Sequence, residues 1–152
     1  MKDHATYAVE LFESGYNCAQ AVAAAFGDVT HLELKTAAAM ASSFGGGMGR
    51  MREVCGAVSG MLLIAGILYG YNDPTADAEK KAHYQRVQQM AGQFRAEAGS
   101  IICRELLNNP PSDPSPTVRS PEFYQMRPCS RMVYYAAEIL DQYIAEHPPV
   151  VS

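Results

Sequence analysis

The sequence lacks any run of basic residues, and only 18% of its residues are charged, for a formal net charge of -4. Nucleic-acid recognition needs clustered Lys and Arg to neutralise phosphates. We therefore expect no nucleic acid among its partners. The sequence also lacks any Cys-x-x-Cys pair, so neither a thioredoxin-type motif nor a ribbon-type zinc site is encoded locally. A site built from its four cysteines would have to be assembled by tertiary folding.

The first ten residues lack the basic region and continuous apolar stretch of a secretory signal peptide. We expect a cytoplasmic protein. In that reducing compartment, unpaired or catalytic thiols and metal ligands are more common than permanent structural disulfides. We therefore expect thiols or metal ligands at the cysteines rather than structural disulfides.

Strand-like alternation of apolar and polar residues is also missing, whereas apolar residues recur at the helical period in nearly every segment. The sequence predicts an all-α fold, a compact bundle of about six to seven helices around a central apolar, glycine-containing helix. A chain of 152 residues can bury a core without disulfides. We expect a single helical domain over residues 1–152, with a proline-rich loop at 108–128.

Four polar residues predict helix starts. Asn17, with Gln20 three residues later, has the pattern of a capping box, and Thr30 with Glu33 repeats it. Asp73 precedes a proline and is a candidate N-cap, as is Ser100 ahead of a short helix.

Residues 54–71 carry no charge and are about as long as the shortest membrane spans. The same segment contains Gly56, Gly60, Gly66 and Gly70, which let a neighbouring helix approach closely. We favour a buried central helix and keep a membrane span, or an apolar docking surface, as the weaker alternatives.

Four cysteines, Cys18, Cys55, Cys103 and Cys129, each fall within the first turn of a predicted helix. Free N–H groups and the positive end of the helix dipole stabilise a thiolate there. Thiolate is both the nucleophile in thiol exchange and the ligand of metals and iron–sulfur clusters. We predict that the four converge on one site. The alternative is that each is a small buried hydrophobic residue.

A glycine-rich segment, residues 45–49, precedes Cys55 and is followed by two arginines. Its N–H groups could form an anion-binding nest, and a nearby guanidinium could lower the pKa of Cys55. We therefore single out Cys55 as the most activated thiol. In the simpler interpretation the glycines only turn the chain and the arginines are solvated. The candidate residues for binding a cofactor or an anion are Gly46, Gly47, Gly49, Arg50 and Arg52.

The glycine segment leading into Cys55-Gly56-Ala57-x-x-Gly60, with one cysteine upstream and two downstream, resembles the redox-active family labelled C_GCAxxG_C_C. The order of Cys and Gly differs from that label. The resemblance covers nearly the whole chain and implies four functional cysteines, Cys18, Cys55, Cys103 and Cys129.

The family is also similar to part of the split-Soret cytochromes, which carry haem and an iron–sulfur centre. This sequence has no Cys-x-x-Cys-His, so no covalent haem is expected.

Two functions follow from these residues. The first is a redox-active protein, either an oxidoreductase or an electron-transfer protein, whose four cysteines cycle between thiols and disulfides or ligate a [2Fe–2S] cluster. The second is a helical binding module held by a structural Cys₄ zinc site. The first function requires a redox partner that the sequence does not identify, and the sequence leaves a homodimer open.

Overall fold

The computed structural model describes residues 3–126 and 128–150. Its architecture confirms the all-α prediction, and within these residues β-pairing is limited to one isolated antiparallel bridge, between Val54 and Ile102. A 3₁₀ turn at Ser42–Phe44 separates α4 from α5. The helices are α1 His4–Glu13, α2 Cys18–Ala25, α3 Gly27–Thr30, α4 Leu34–Ala41, α5 Gly45–Met48, α6 Gly56–Tyr69, α7 Asp77–Ala98, α8 Cys103–Leu106, α9 Pro121–Met126 and α10 Cys129–Glu146.

The centre of the bundle is formed by two helices, α2 and α6. Every residue of α2 except Gln20 is buried, because its small alanine side chains let α1, α4, α6 and α10 approach it from different sides. The predicted capping box is confirmed: Asn17 Oδ1 accepts from Gln20 N at 2.9 Å, and Gln20 Oε1 accepts from Asn17 N at 3.1 Å. This box fixes where α2 begins and therefore where Cys18 lies.

The apolar segment predicted as the central helix is α6, and it has 14 residues. Among the helices described, none combines the length and the apolar character needed to cross a membrane. Gly60 lies against the backbone of Ala19, so α2 and α6 pack at close range. The shared core of these two helices sits directly behind the residues at their N-termini.

Three predicted helix starts lie elsewhere in the structure. Thr30 ends α3 and its hydroxyl accepts from Leu32 N, so α4 begins later, with Glu33 as its N-cap. Asp73 forms a local turn by accepting from the N–H and hydroxyl of Thr75, and α7 begins only at Asp77. In each case a short polar side chain stabilises a turn instead of a helix N-terminus.

The third displaced start is that of α8. Ser100 accepts from Ile102 N, and Ile102 rather than Ser100 is the N-cap, so Cys103 becomes the first residue of the helix. The predicted proline-rich loop also contains a helix, α9, within 108–128. Because Ser120 accepts from Phe123 N in the first turn of α9, this part of the segment is more ordered than its composition indicates.

His4 links three helices. Its ring stacks on Phe26 with centroids 4.3 Å apart, Nδ1 lies 2.5 Å from Asp141 Oδ1 on α10, and Nε2 lies 2.8 Å from Asp28 Oδ1 on α3. Burial lowers the pKa of His4, but the hydrogen bonds to Asp28 and Asp141 outweigh it, and the pKa is raised overall. The imidazolium can donate from both nitrogens at once, which the neutral ring cannot.

We expect this contact to stabilise the fold most at lower pH. Because the folded pKa of His4 is above the unfolded value, the contribution is fully present below the unfolded pKa of about 6.5 and is lost as the pH rises through the folded pKa. Urea unfolding of wild type and His4→Asn between about pH 6 and pH 9 measures it. The stability difference between the two proteins should shrink as the pH rises, and a difference that stays constant would contradict this assignment.

Candidate functional site

One cavity of about 910 Å³ opens where the N-termini of α2, α6, α8 and α10 meet. Its wall includes all four cysteines of the sequence, Cys18, Cys55, Cys103 and Cys129. Three of these side chains are buried, with exposed fractions of 6–8%, and Cys129 is half-buried. The fold thus brings to one cavity four residues that lie far apart in the sequence.

Each of the four cysteines stands at the start of a helix. Cys18, Cys103 and Cys129 are the first residues of α2, α8 and α10, and Cys55 is the N-cap of α6. The sulfur of Cys18 packs against Gly56, where an added Cβ would lie 2.5 Å from it. Because Gly56 directly follows Cys55, this contact sets Cys18 beside the start of the helix that Cys55 caps.

Two of the cysteines are held in register by the isolated β-bridge. Cys55 N donates to Ile101 O at 2.7 Å, and Cys103 N donates to Glu53 O at 2.6 Å. The bridge between Val54 and Ile102 lies between these two bonds. Since side chains alternate along paired segments, Cys55 and Cys103 occupy diagonal positions on the same face. The sequence gives no local signal of this pairing, because each segment is too short to show alternation.

The glycine segment lies behind the cysteines and takes left-handed backbone conformations. Gly46, Gly47 and Gly49 have φ of 67°, 71° and 58°. Gly47 packs against Cys103, where a Cβ would lie 2.7 Å from the cysteine Cβ. Gly46 and Gly49 line the cavity, whereas Gly47 supports its wall from behind.

Burial dominates the ionisation of the two innermost thiols. It raises the pKa of Cys18, and the hydrogen bond from the N–H of Gly46 partly offsets the rise. Burial likewise raises the pKa of Cys55 well above its ordinary value. These two thiols are therefore protonated near neutral pH.

The prediction that Cys55 is the most readily ionised thiol is wrong. The first-turn N–H groups of α6 do lower its pKa, as expected at a helix start, but desolvation of the charged form outweighs them. The predicted arginine support also lies elsewhere. Arg52 Nη1 is 3.7 Å from the sulfur of Cys103, so the contact between a guanidinium and a thiol is made at Cys103.

Both arginines that follow the glycine segment hold the proline-rich segment against the cavity. Arg50 donates from Nε to Asp113 O at 2.8 Å and from Nη1 to Thr117 Oγ1 at 2.7 Å. Arg52 donates from Nε to Pro111 O at 2.9 Å. Neither side chain is simply solvated, because each bridges two segments that are distant in the sequence.

Comparison with known proteins supports the sequence pattern. The family model described as "Putative redox-active protein (C_GCAxxG_C_C)" matches residues 16–143, which is most of the chain. The chain belongs to this family. No curated protein and no solved structure matches the chain. The matched range includes all four cysteines of this C_GCAxxG_C_C protein and the whole glycine segment.

Arg119 is a further residue of the site that sequence reasoning missed. Its guanidinium donates to the carbonyls of Phe12 and Tyr16 at 2.7 and 2.9 Å. It also lies 4.6 Å from the centre of the Phe12 ring, over its face. Arg119 thus ties the proline-rich segment of this C_GCAxxG_C_C protein to the end of α1. A lone arginine in a proline-rich stretch gives no sequence signal of this role.

The cavity of this family member shows neither a disulfide nor a preformed site for a single metal ion in the part of the chain described. No disulfide joins its cysteines there. Among residues 3–126 and 128–150, no three His, Cys, Asp or Glu side chains are arranged to hold one ion. The geometry therefore shows four cysteines on the wall of one cavity but not a tetrahedral ligand cage.

Proposed function

We propose that this protein is a thiol-based redox protein whose four cysteines act together at one cavity, by cycling between thiols and disulfide. The observation that carries the proposal is that Cys18, Cys55, Cys103 and Cys129 all line this cavity. Membership of a family described as redox-active supports the same chemistry. We propose the cytoplasm as its location, since the cycle needs a compartment in which thiols are regenerated.

The step itself is a two-electron oxidation. Two cysteine thiols lose two protons and two electrons and form one S–S bond, while a disulfide-bearing oxidant accepts both and becomes two thiols. Cys103 is the proposed attacking residue, because the guanidinium of Arg52 contacts its sulfur. Cys18 and Cys55 are the proposed resolving residues, since their buried thiols stay protonated until the mixed disulfide forms.

A second candidate within the same function is electron transfer by a [2Fe–2S] cluster held by the four cysteines. Such a cluster would supply one-electron chemistry, and cluster sulfurs accept hydrogen bonds from backbone amides. The N–H of Gly46 at Cys18 and those of Ala57 and Val58 at Cys55 favour this candidate. The zinc alternative, with Cys₄ ligation and no redox role, has less support because no single-ion cage is formed among the described residues.

Anaerobic purification followed by metal and thiol analysis separates these candidates. We expect a colourless protein whose titratable thiols fall on oxidation and return with a reductant. A brown protein with iron and acid-labile sulfide would instead establish the cluster. Stoichiometric zinc, with unfolding on chelation, would establish the structural site and overturn the redox proposal.

A further inference from the structure

The cysteine cavity has a positively charged wall in a protein that is negatively charged overall. Four charged residues line the cavity, and three of them are arginines. The chain as a whole has a formal net charge of -4. A cavity in which one sign of charge predominates raises the local concentration of ligands of the opposite sign. The charged lining residues are Glu13, Arg50, Arg52 and Arg119.

Arg52 is the arginine of this wall whose hydrogen bonding is incomplete. Its side chain is 3% exposed, and Nη2 has no hydrogen-bond partner among the described residues. Nε is used by Pro111 O, and Nη1 makes the long contact to the Cys103 sulfur. The ion pairs found in this part of the chain do not include Arg52. A buried guanidinium donor without an acceptor is costly, and an anion would remove that cost.

The position of this unused donor fixes where the anion would lie. Nη1 and Nη2 form one edge of the planar guanidinium, and Nη1 is already directed at Cys103. An anionic group accepting from Nη2 is therefore held within a few bond lengths of the thiol. Arg52 is one of the residues that line the cavity, and its Nε is already held by the Pro111 carbonyl, so Nη2 is the donor left for a ligand there.

We propose that Arg52 is the anion-binding residue of the cysteine cavity and that it selects a small disulfide carrying a carboxylate as the oxidant. The proposal rests on the thiol/disulfide function proposed above. The Cys103 sulfur, after losing its proton, attacks the ligand disulfide, forms a mixed disulfide and releases one small thiol. A second cysteine of the cavity then attacks the Cys103 sulfur and releases the second small thiol. The ligand S–S bond becomes two S–H groups, and two protein S–H groups become one S–S bond.

Three small disulfides with the same two-carbon arms and different charges test this selection. The reduced protein is mixed anaerobically with 3,3′-dithiodipropionate (anionic), bis(2-hydroxyethyl) disulfide (neutral) or cystamine (cationic). The rate constant for each disulfide with the protein is divided by the rate constant for the same disulfide with dithiothreitol. This ratio corrects for differences in intrinsic reactivity among the three disulfides. We expect the anionic disulfide to react at least roughly tenfold faster than the neutral one, as a charge-assisted hydrogen bond predicts, and cystamine to react most slowly.

The variants are Arg52→Gln and, as a matched control, Arg95→Gln, which removes an exposed arginine outside the cavity. Arg52→Gln should bring the anionic-to-neutral rate ratio close to one while the neutral disulfide still reacts, and Arg95→Gln should leave the ratio unchanged. If Arg52→Gln does not fold, as judged by circular dichroism, wild type is tested with propionate as a competitor. Propionate should reduce the advantage of the anionic disulfide, and chloride at equal ionic strength should not.

Two outcomes overturn the inference in distinguishable ways. Equal rates for the three disulfides, or an order that survives Arg52→Gln, would overturn anion selection and leave the thiol/disulfide function standing. An absence of reaction with all three, in a protein whose thiols are reduced and titratable, would overturn the proposed function as well.

Discussion

Replacing Cys55 by Ser should remove one disulfide's worth of reversible thiol loss and slow turnover with a disulfide substrate, because Cys18 is then the one proposed resolving residue left. A hydroxyl does not form a disulfide and is a poorer ligand than a thiolate for the iron of a cluster, so both candidate mechanisms are impaired at this position. The fold should persist, because residue 55 is the N-cap of α6 and Ser is among the preferred N-cap residues. Thiol titration before and after oxidation measures the effect.

Val58→Thr is the matched control for this substitution. Val58 is buried on the same helix and does not line the cavity, so the variant adds a buried hydroxyl while keeping all four thiols. It should lose some stability and keep the full reversible thiol change. If Cys55→Ser lost as many thiols on oxidation as wild type, Cys55 would have no part in the cycle.

Gly60→Ala should lower the free energy of unfolding by about 2 kcal/mol, the range of overpacking in a tight core. An added Cβ at residue 60 would lie 2.6 Å from the carbonyl oxygen of Ala19 and 3.2 Å from Val22 Cβ. The oxygen belongs to the backbone of α2 and cannot move without moving that helix. Since Cys18 begins α2, we expect the same shift to disturb the cysteine cavity.

Gly66→Ala, on the same helix, should instead raise the free energy of unfolding. Gly66 is exposed and has no atom within 4 Å of an added Cβ. Alanine is the better helix former, so this variant should gain about 0.5–1 kcal/mol. Urea unfolding of both variants with an unchanged m-value checks the pair. Similar changes for the two glycines would contradict the close packing of α2 on α6.

The parts of the fold that the sequence predicted depend on local interactions. The capping box of Asn17 and Gln20 spans three residues and is confirmed, as is the all-α class that follows from apolar periodicity. Thr30 and Asp73 have the same short-range chemistry, but each is used in a turn. A polar residue before an apolar stripe thus marks the end of a turn or the start of a helix equally well.

The site depends on contacts between distant segments, which periodicity does not encode. The bridge between Val54 and Ile102 joins two short segments and sets Cys55 and Cys103 on one face. The contact of Arg52 with Cys103 also joins residues that are distant in the sequence, and it places the guanidinium at Cys103 rather than at Cys55. The number of cysteines and their helix-start positions were readable from the sequence, whereas the backbone pairing that sets Cys55 beside Cys103 was not.

Disulfide mapping by mass spectrometry tests the central claim most directly. The reduced protein is oxidised with a small disulfide, alkylated under denaturing conditions and digested. Our account predicts that each protein disulfide joins two of Cys18, Cys55, Cys103 and Cys129 within one chain, because all four line one cavity. Disulfides formed only between chains, or four cysteines that remain singly modified by the small thiol, would contradict it.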